Sequence, residues 1–388
     1  MGALRGMTGK GRLVLMIAFS MAIAGIATNR AAAQPAGHLN QIHHVFVIVL
    51  ENKSFRETFG PNSPAPYLSK TLTSRGALLE NYFAIGHASL DNYVAMISGQ
   101  PPNEDTQRDC PLVTEFVPSR PEIDAQGRLL GHGCLYPRNV ATLADQLERR
   151  GLTWRGYMQD MGKDASREKE TCGHALLNTR DKLLTATLSD AYADKHNPFV
   201  YFHSIIDDQA KCDAHVVNLN ALKADLSAIA STPNFSFITP NLCEDGHDHP
   251  CVDGRPGGLI SSDQFLRDWV PIILNSPAYR SDGLIVVTFD EAGGGEAEDS
   301  AACCNEVAMP GARLPPGRNG PGGGRIGAVL VSPFIAGGTA SAQPYNHFSL
   351  LRTAEDIFNL PHLGLAGAPG LRAFGRDVFL QRTSSQQH

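Results

Sequence analysis

Apolar residues in this chain gather in short unbroken runs set among longer amphipathic stretches. Val45–Leu50, Phe199–Ile206, Phe235–Thr239, Leu284–Phe289 and Gly327–Val331 are rich in β-branched and aromatic residues. That is the pattern of strands buried on both faces. Thr142–Arg150, Leu219–Ala230, Ser262–Leu274 and Ser349–Phe358 carry helical spacing. Strands alternating with helices predict an α/β fold with a mostly parallel central sheet covered on both sides. Two stretches, Pro101–Pro137 and Gly293–Arg325, are rich in Gly, Pro and charge and hold four of the cysteines. The strand pattern resumes after each, so they read as loop insertions within a single domain spanning residues 34–388.

Several strands end in residues that have no apolar reason to be there. Glu51-Asn52 follow the first run, and Asp290-Glu291 follow Leu284–Phe289 and lead into three glycines. Asn241, Glu244, Asp245, His247, Asp248 and His249 follow Phe235–Thr239. In open α/β sheets ligands bind beyond the carboxyl ends of the strands. Acid, amide and imidazole groups from three strands suit a divalent cation or a catalytic centre. Each also has a plainer reading: Asn52 or Ser54 as a helix cap, Asp290-Glu291 as a solvated turn. Ser89 opens a helical pattern running to Ser98, which fits a helix N-cap. It equally fits a hydroxyl set where free backbone N–H groups favour a phosphate.

The first residues are basic (Arg5, Lys10, Arg12), then apolar (Leu13–Ala27), then small (Ala31–Ala33), the layout of a signal peptide covering residues 1–33. Its removal would take four basic residues and no acidic one, moving the net charge from −6 to −10. With no basic stripe left, nucleic acid and anionic surfaces are poor partners, and no stable membrane insertion is expected after cleavage. All eight cysteines lie beyond residue 33. In an exported chain an even count favours disulfides, with Cys243–Cys251 the best single pairing. No pair has zinc-finger spacing.

Five ordered segments, ENKSFRETFG, HASLDNY, TPNLCEDGHD, TFDEAGG and YNHFSLLRTAEDIF, resemble the bacterial and fungal phosphoesterase family. It includes acid phosphatases and phospholipase C-type enzymes and belongs to the alkaline phosphatase-like superfamily. The resemblance runs from about His43 to Phe379. It implies a three-layer α/β/α fold and a secreted or periplasmic hydrolase acting on phosphate esters with a divalent metal ion. By matching positions, Glu51, Asn52, Ser89, Asp290 and Glu291 look like metal ligands. Ser89 looks like the nucleophile, and His87, His247 and His347 like pocket histidines. Two positions depart from the family pattern: Asp91 stands where proline is usual, and Arg56 where Asp is frequent.

The implied chemistry suits these residues. A serine hydroxyl becomes a nucleophile near a dication, which also offsets charge on phosphoryl oxygens. The resulting expectation is attack by Ser89, a phosphoserine intermediate, and its hydrolysis by water. His247 is the first choice to protonate the leaving oxygen, with His87 or His347 orienting the phosphate. His203 and His215 are weaker candidates, and Arg325 is a residue of the second insertion that could touch substrate. Two rival readings stay open. A metal-independent serine esterase lacks support, because no G-x-S-x-G elbow occurs. A non-catalytic exported protein that binds phosphate or metal would use the same pocket.

Overall fold

Strand β1 (His44–Leu50) occupies the middle of the protein, and all seven of its residues are buried. It is seen in a computed structural model that describes residues 39–293, 300–304 and 321–379. The other strands of its sheet are β2 (Ala77–Leu79), β3 (Trp154–Met158), β4 (Val216–Asn218), β5 (Phe235–Thr239), β6 (Gly283–Phe289), β7 (Ala328–Val331) and β8 (Thr339–Ser341). Their lateral order is β8-β2-β7-β6-β1-β5-β3-β4. β7 runs antiparallel to both neighbours, and every other pairing is parallel. β1 lies between β5 and β6, with Val45 opposite Phe235 on one side and Leu284 on the other. This is the α/β fold with a mostly parallel central sheet that the sequence predicts.

Complete burial of β1, β5 and β6 requires cover on both faces of the sheet. The main helices are α1 (Ser89–Ser98), α2 (Leu143–Arg149), α3 (Gly258–Asn275) and α4 (His347–Ile357). α1 packs on α4, and α3 packs on the turn Tyr67–Leu72. All ten residues of α1 are buried, so this helix is inside the protein rather than amphipathic on its surface. Thr142 and Asp145 form a reciprocal capping box that starts α2, and Asn346 with Ser349 does the same for α4.

Two sequence expectations fail. Phe199–Ile206 is not a strand: it forms a 3-10 turn over Pro198–Tyr201 and a short helix over His203–Ile206. Its apolar side chains are buried by ring packing, Phe199 on Trp154 at 4.6 Å and Phe202 on Tyr136 at 5.1 Å between centroids. Pro198 has no N–H to give a sheet partner, and the place beside β5 goes to β3 instead. Leu219–Ala230 is not one helix either. It breaks into Leu219–Ala221 and Leu222–Asp225, after which the hydroxyls of Ser231 and Thr232 take the carbonyl of Asp225. Strands β2, β3, β4 and β8 are short or flanked by polar residues and carry weaker periodic signals.

All eight cysteines are paired: Cys110–Cys134, Cys172–Cys212, Cys243–Cys251 and the adjacent Cys303–Cys304. The chain divides into two units, Met1–Gln34 and Pro35–His388, and every described residue belongs to the second. The signal-peptide expectation for residues 1–33 lies outside the described residues, as does much of the 293–325 insertion. Among the described residues no helix is long and apolar enough to cross a membrane.

Ile48 is fully buried in β1, opposite Ile238 and Val287. Ile48→Ala should lower the unfolding free energy by about 2–5 kcal/mol. Urea denaturation would show a lower midpoint at an unchanged slope; an unaltered midpoint would contradict the central position of this strand.

Candidate active site

Parallel strands deliver their carboxyl ends to one side of the sheet, and β1, β5 and β6 are adjacent. Glu51 directly follows β1, Asp290 and Glu291 follow β6, and Asp245 and His247 sit in the turn after β5. The backbone stitches the three ends together: Glu51 N–H donates to the carbonyl of Asp245 at 2.9 Å, and Asp290 N–H to that of Leu50 at 2.8 Å. Asn52 has φ of 56°, a left-handed conformation that Asn tolerates, and its N–H donates to Asp290 Oδ1 at 2.9 Å. Its side chain donates to Glu51 Oε2 at 3.0 Å. Ser54, not Asn52, caps the following helix, in a capping box with Glu57.

Ser89 is the first residue of α1; the cap position belongs to Ala88. Its hydroxyl donates to Glu51 Oε2 at 2.9 Å. The loop before it is shaped by Asn92, whose Oδ1 accepts from Ile85 N–H and Gly86 N–H. Its Nδ2 donates to the carbonyls of Gly86 and Ala88, so four bonds of 3.0–3.2 Å fix the approach to Ser89. One helical turn on from Ser89, Tyr93 donates to Glu51 Oε1 at 2.6 Å. Burial, then the nearby carboxylates beginning with Glu51, hold the Tyr93 phenol well above its ordinary value, so it stays a donor.

His196, which sequence reading missed, lies at the centre. Its ring stacks on Tyr93 at 5.2 Å, Nε2 stands 3.2 Å from Glu51 Oε2, and Nδ1 stands 3.1 Å from Asp245 Oδ2. Neither nitrogen has the alignment of a hydrogen bond. Burial, partly opposed by Asp245, lowers the His196 pKa. Burial pushes Asp245 up to about 7, against the lowering effect of His196. Burial, reinforced by Glu51, raises Asp290 well above the carboxylate range, and burial with Asp290 does the same for Glu291.

These donors fit a cation. Ligating atoms of Glu51, His196 and Asp245 all lie within 4.8 Å of one another. Asp290 Oδ2, Glu291 Oε2, Asp245 Oδ2 and both His196 nitrogens are buried without a hydrogen-bond partner. Buried acceptors in that state are costly unless something positive meets them. An imidazole among carboxylates suits a zinc- or manganese-type ion better than calcium. Glu51, Asn52, Ser89 and Asp290 are thus brought together. Glu291 is joined to the group through its backbone, donating to Asp290 Oδ1 at 2.6 Å.

The remaining histidines have diverse surroundings. His87 Nδ1 is 3.7 Å from Glu291 Oε1. His347 is engaged at both nitrogens, with Tyr82 OH at 3.1 Å and the carbonyl of Asp290 at 2.7 Å. Burial lowers its pKa to about 4, so it is a neutral strut beneath Asp290 rather than a group turned toward substrate. His247 is half-buried; Nδ1 pairs with Asp248 at 2.8 Å, and Nε2 accepts from Lys195 at 3.3 Å. That pattern leaves its Nε2 without a proton, which does not support the expected proton-donor role. His203 pairs with Glu115 and Asp207, and His215 stacks on Trp154. Arg325 lies over the ring of Phe55 at 4.5 Å.

The two departures from the family pattern also separate. Asp91 is buried beneath Gly86, where an added Cβ would come within 2.4 Å of its Oδ2. Burial, then Asp109 and Asp290, raise its pKa well above the ordinary value. Arg56 is exposed and helps line a cavity of about 630 Å³ with Lys53, His249 and Ile260. Ser89 and the site carboxylates are not among that cavity's walls.

The raised carboxyls set a pH dependence. Below their ordinary value near 4 both folded and unfolded states are protonated, and nothing is gained or lost. Above it the metal-free fold retains protons that the unfolded chain releases, so its stability falls as pH rises through the shifted values. A dication displaces those protons. The rise in Tm on adding manganese or zinc to chelator-treated protein should therefore grow from about pH 5 to about pH 8. A gain that is flat or shrinking over that range would rule out these carboxyls as ligands. Asn92→Ala should cost about 1–3 kcal/mol by stranding buried backbone groups, read as a lowered Tm.

Among characterised proteins, a probable acid phosphatase of Kluyveromyces lactis is 24% identical over 82% of this chain and 59% of its own length. A phosphate-repressible acid phosphatase of Penicillium chrysogenum is 27% identical, over 88% of this chain and 66% of its own. The chain thus spans well under the full length of these fungal relatives. A phosphatidylinositol-3-phosphatase of Mycobacterium tuberculosis is 23% identical over 94% of this chain and 96% of its own length. A solved alkaline phosphatase superfamily protein from Vibrio parahaemolyticus aligns over 89% of this chain and 73% of its own, at 13% identity and a TM-score of 0.49. The model of the Phosphoesterase family matches residues 62–361, a span that includes Ser89, Asp245, Asp290 and His347 and begins after Glu51 and Asn52. With most of its length matched in this way, the chain belongs to the Phosphoesterase family.

Proposed function

We propose that this chain is an exported, metal-dependent phosphoesterase that cleaves phosphate esters through a phosphoserine at Ser89. The observation that carries the reading is the 2.9 Å bond from the Ser89 hydroxyl to Glu51 Oε2, inside a buried cluster of carboxylates. A hydroxyl with a carboxylate acceptor has somewhere to send its proton as it attacks. The names of the related proteins, acid phosphatases and a phosphatidylinositol-3-phosphatase, favour phosphate esters as substrates. Four disulfides among the described residues suit an oxidising compartment and so accord with export.

In the first half-reaction Ser89 Oγ bonds to phosphorus while its proton passes to Glu51. The bond from phosphorus to the ester oxygen breaks, and that oxygen takes a proton from solvent. In the second half a water oxygen bonds to phosphorus and releases one proton to solvent, the Oγ–P bond breaks, and Glu51 returns its proton to Ser89. Tyr93 steadies the far oxygen of Glu51 throughout, and Asn52 holds the near one. A dication held by Glu51, Asp290 and Glu291, with His196 and Asp245 as further donors, would offset phosphoryl charge and favour the ionised serine. Substrate enters where Asn52 and His247 are only half-buried.

The serine esterase alternative needs an imidazole on the nucleophile, and the described partner of the Ser89 hydroxyl is a carboxylate. Ser89→Ala should cut turnover of p-nitrophenyl phosphate by at least ~10³-fold. Its Tm should stay within a few degrees of the parent. Acid quenching of the parent enzyme with substrate should yield a peptide phosphorylated at Ser89. Near-normal turnover in the alanine variant would end this assignment.

A further inference from the structure

We propose that Lys195 binds a non-bridging oxygen of the phosphoryl group and gives the site its preference for phosphate monoesters over diesters. This rests on the phosphoesterase reading and adds a residue and a substrate class to it.

Lys195 sits in the 3-10 turn Asp194–His196, directly before the imidazole at the centre of the site. At 6% exposure it is the only lysine or arginine that is buried among the described residues. Its ammonium has three hydrogens to donate. One goes to His247 Nε2 at 3.3 Å and one to Asp109 Oδ2 at 3.4 Å. The third has no partner among the described residues. Both contacts are long for a charge-assisted bond, which is usually about 2.7–2.9 Å. The ammonium is therefore held loosely on one side and open on another, an arrangement that a buried cation sustains only at a cost.

Two further facts aim it at the phosphoryl group. The other oxygen of Asp109 accepts the N–H of Leu90, the residue after Ser89, at 3.0 Å. Lys195 is thus tethered by one carboxylate to the start of the nucleophile's helix. The same bond occupies a helix N-terminal amide that would otherwise be free for an anion. Lys195 also directly precedes His196, whose Nε2 is 3.2 Å from the Glu51 oxygen that accepts from Ser89, so the charge stands on the side of the site where the oxygens of a bound ester lie.

A monoester dianion presents three non-bridging oxygens and two charges, whereas a diester presents two oxygens and one charge. A fixed ammonium dedicated to the extra oxygen favours the first. A purely structural countercharge to the carboxylates would affect both substrates alike, which makes the ratio diagnostic.

The test compares kcat/KM for p-nitrophenyl phosphate and bis(p-nitrophenyl) phosphate, with inorganic phosphate as inhibitor, in the full-length parent, Lys195→Met and Lys195→Arg. The parent should prefer the monoester. Lys195→Met should lose about 100-fold on the monoester, weaken phosphate inhibition by about 10-fold, and change the diester by less than about threefold. Lys195→Arg should recover part of the phosphate inhibition. Equal losses on both esters, or a parent that prefers the diester, would overturn the proposal, and the second outcome does not depend on any variant folding. A parent inert toward both esters would overturn the phosphoesterase reading instead. Calorimetry of phosphate binding to parent and Lys195→Met would then decide the lysine's role separately, unchanged affinity counting against it.

Discussion

The crowding of carboxylates at the end of a fully buried strand is the constraint that organises this molecule. Glu51, Asp245 and Asp290 are almost wholly removed from water, and Asp91 and Glu291 are barely exposed. Like charges in so small a volume raise one another's pKa, and loss of hydration raises them further. Such a cluster must hold protons or meet positive charge. The Lys195 ammonium and the His196 ring stand among these groups, and the donor set fits a dication. That demand explains why Asp245 Oδ2, Asp290 Oδ2 and Glu291 Oε2 are buried without hydrogen-bond donors.

Around this cluster lies a shell of residues that hold the donors still. Tyr93 and Asn52 grip Glu51 from two sides, Asn92 builds the turn into Ser89, and His347 with Tyr82 props the backbone of Asp290. The Cys243–Cys251 disulfide closes the loop that carries Asp245 and His247. Catalytic groups need placement to within a fraction of an ångström, and strands, a buried helix and a cross-linked loop supply it better than free loops do.

The residues that depart from the family pattern illustrate how context decides chemistry. Asp91 follows Ser89 closely in sequence, yet its carboxylate is packed beneath Gly86 within the protein. Arg56, four residues from Asn52, is at the surface, on a cavity that the site carboxylates do not line. Lys195 has no distinctive pattern around it in the chain, yet burial and its neighbours turn it into the site's own cation.

Sequence alone determined the frame: the buried runs at Val45–Leu50, Phe235–Thr239 and Leu284–Phe289 have no other use than adjacent parallel strands, and strand ends of acid and amide mark where they open. Those features were legible because they are local, each resting on a few consecutive side chains and the period of a strand. The Cys243–Cys251 pairing was legible for the same reason, its loop being short. What tertiary structure decided was everything that depends on distant segments meeting. Phe199–Ile206 has strand-like composition, but the stacking of its rings on Trp154 and Tyr136 makes it a pair of turns. Lys195 and His196, in the turn Asp194–His196, and Asp109, after the turn Thr106–Arg108, become neighbours only because the fold brings these separate turns against the end of β1 and the start of α1. Tyr93 lay in plain view one helical turn beyond Ser89, but its importance depends on Glu51, whose side chain reaches it from another strand. Periodicity records which residues are buried; it does not record what they are buried against.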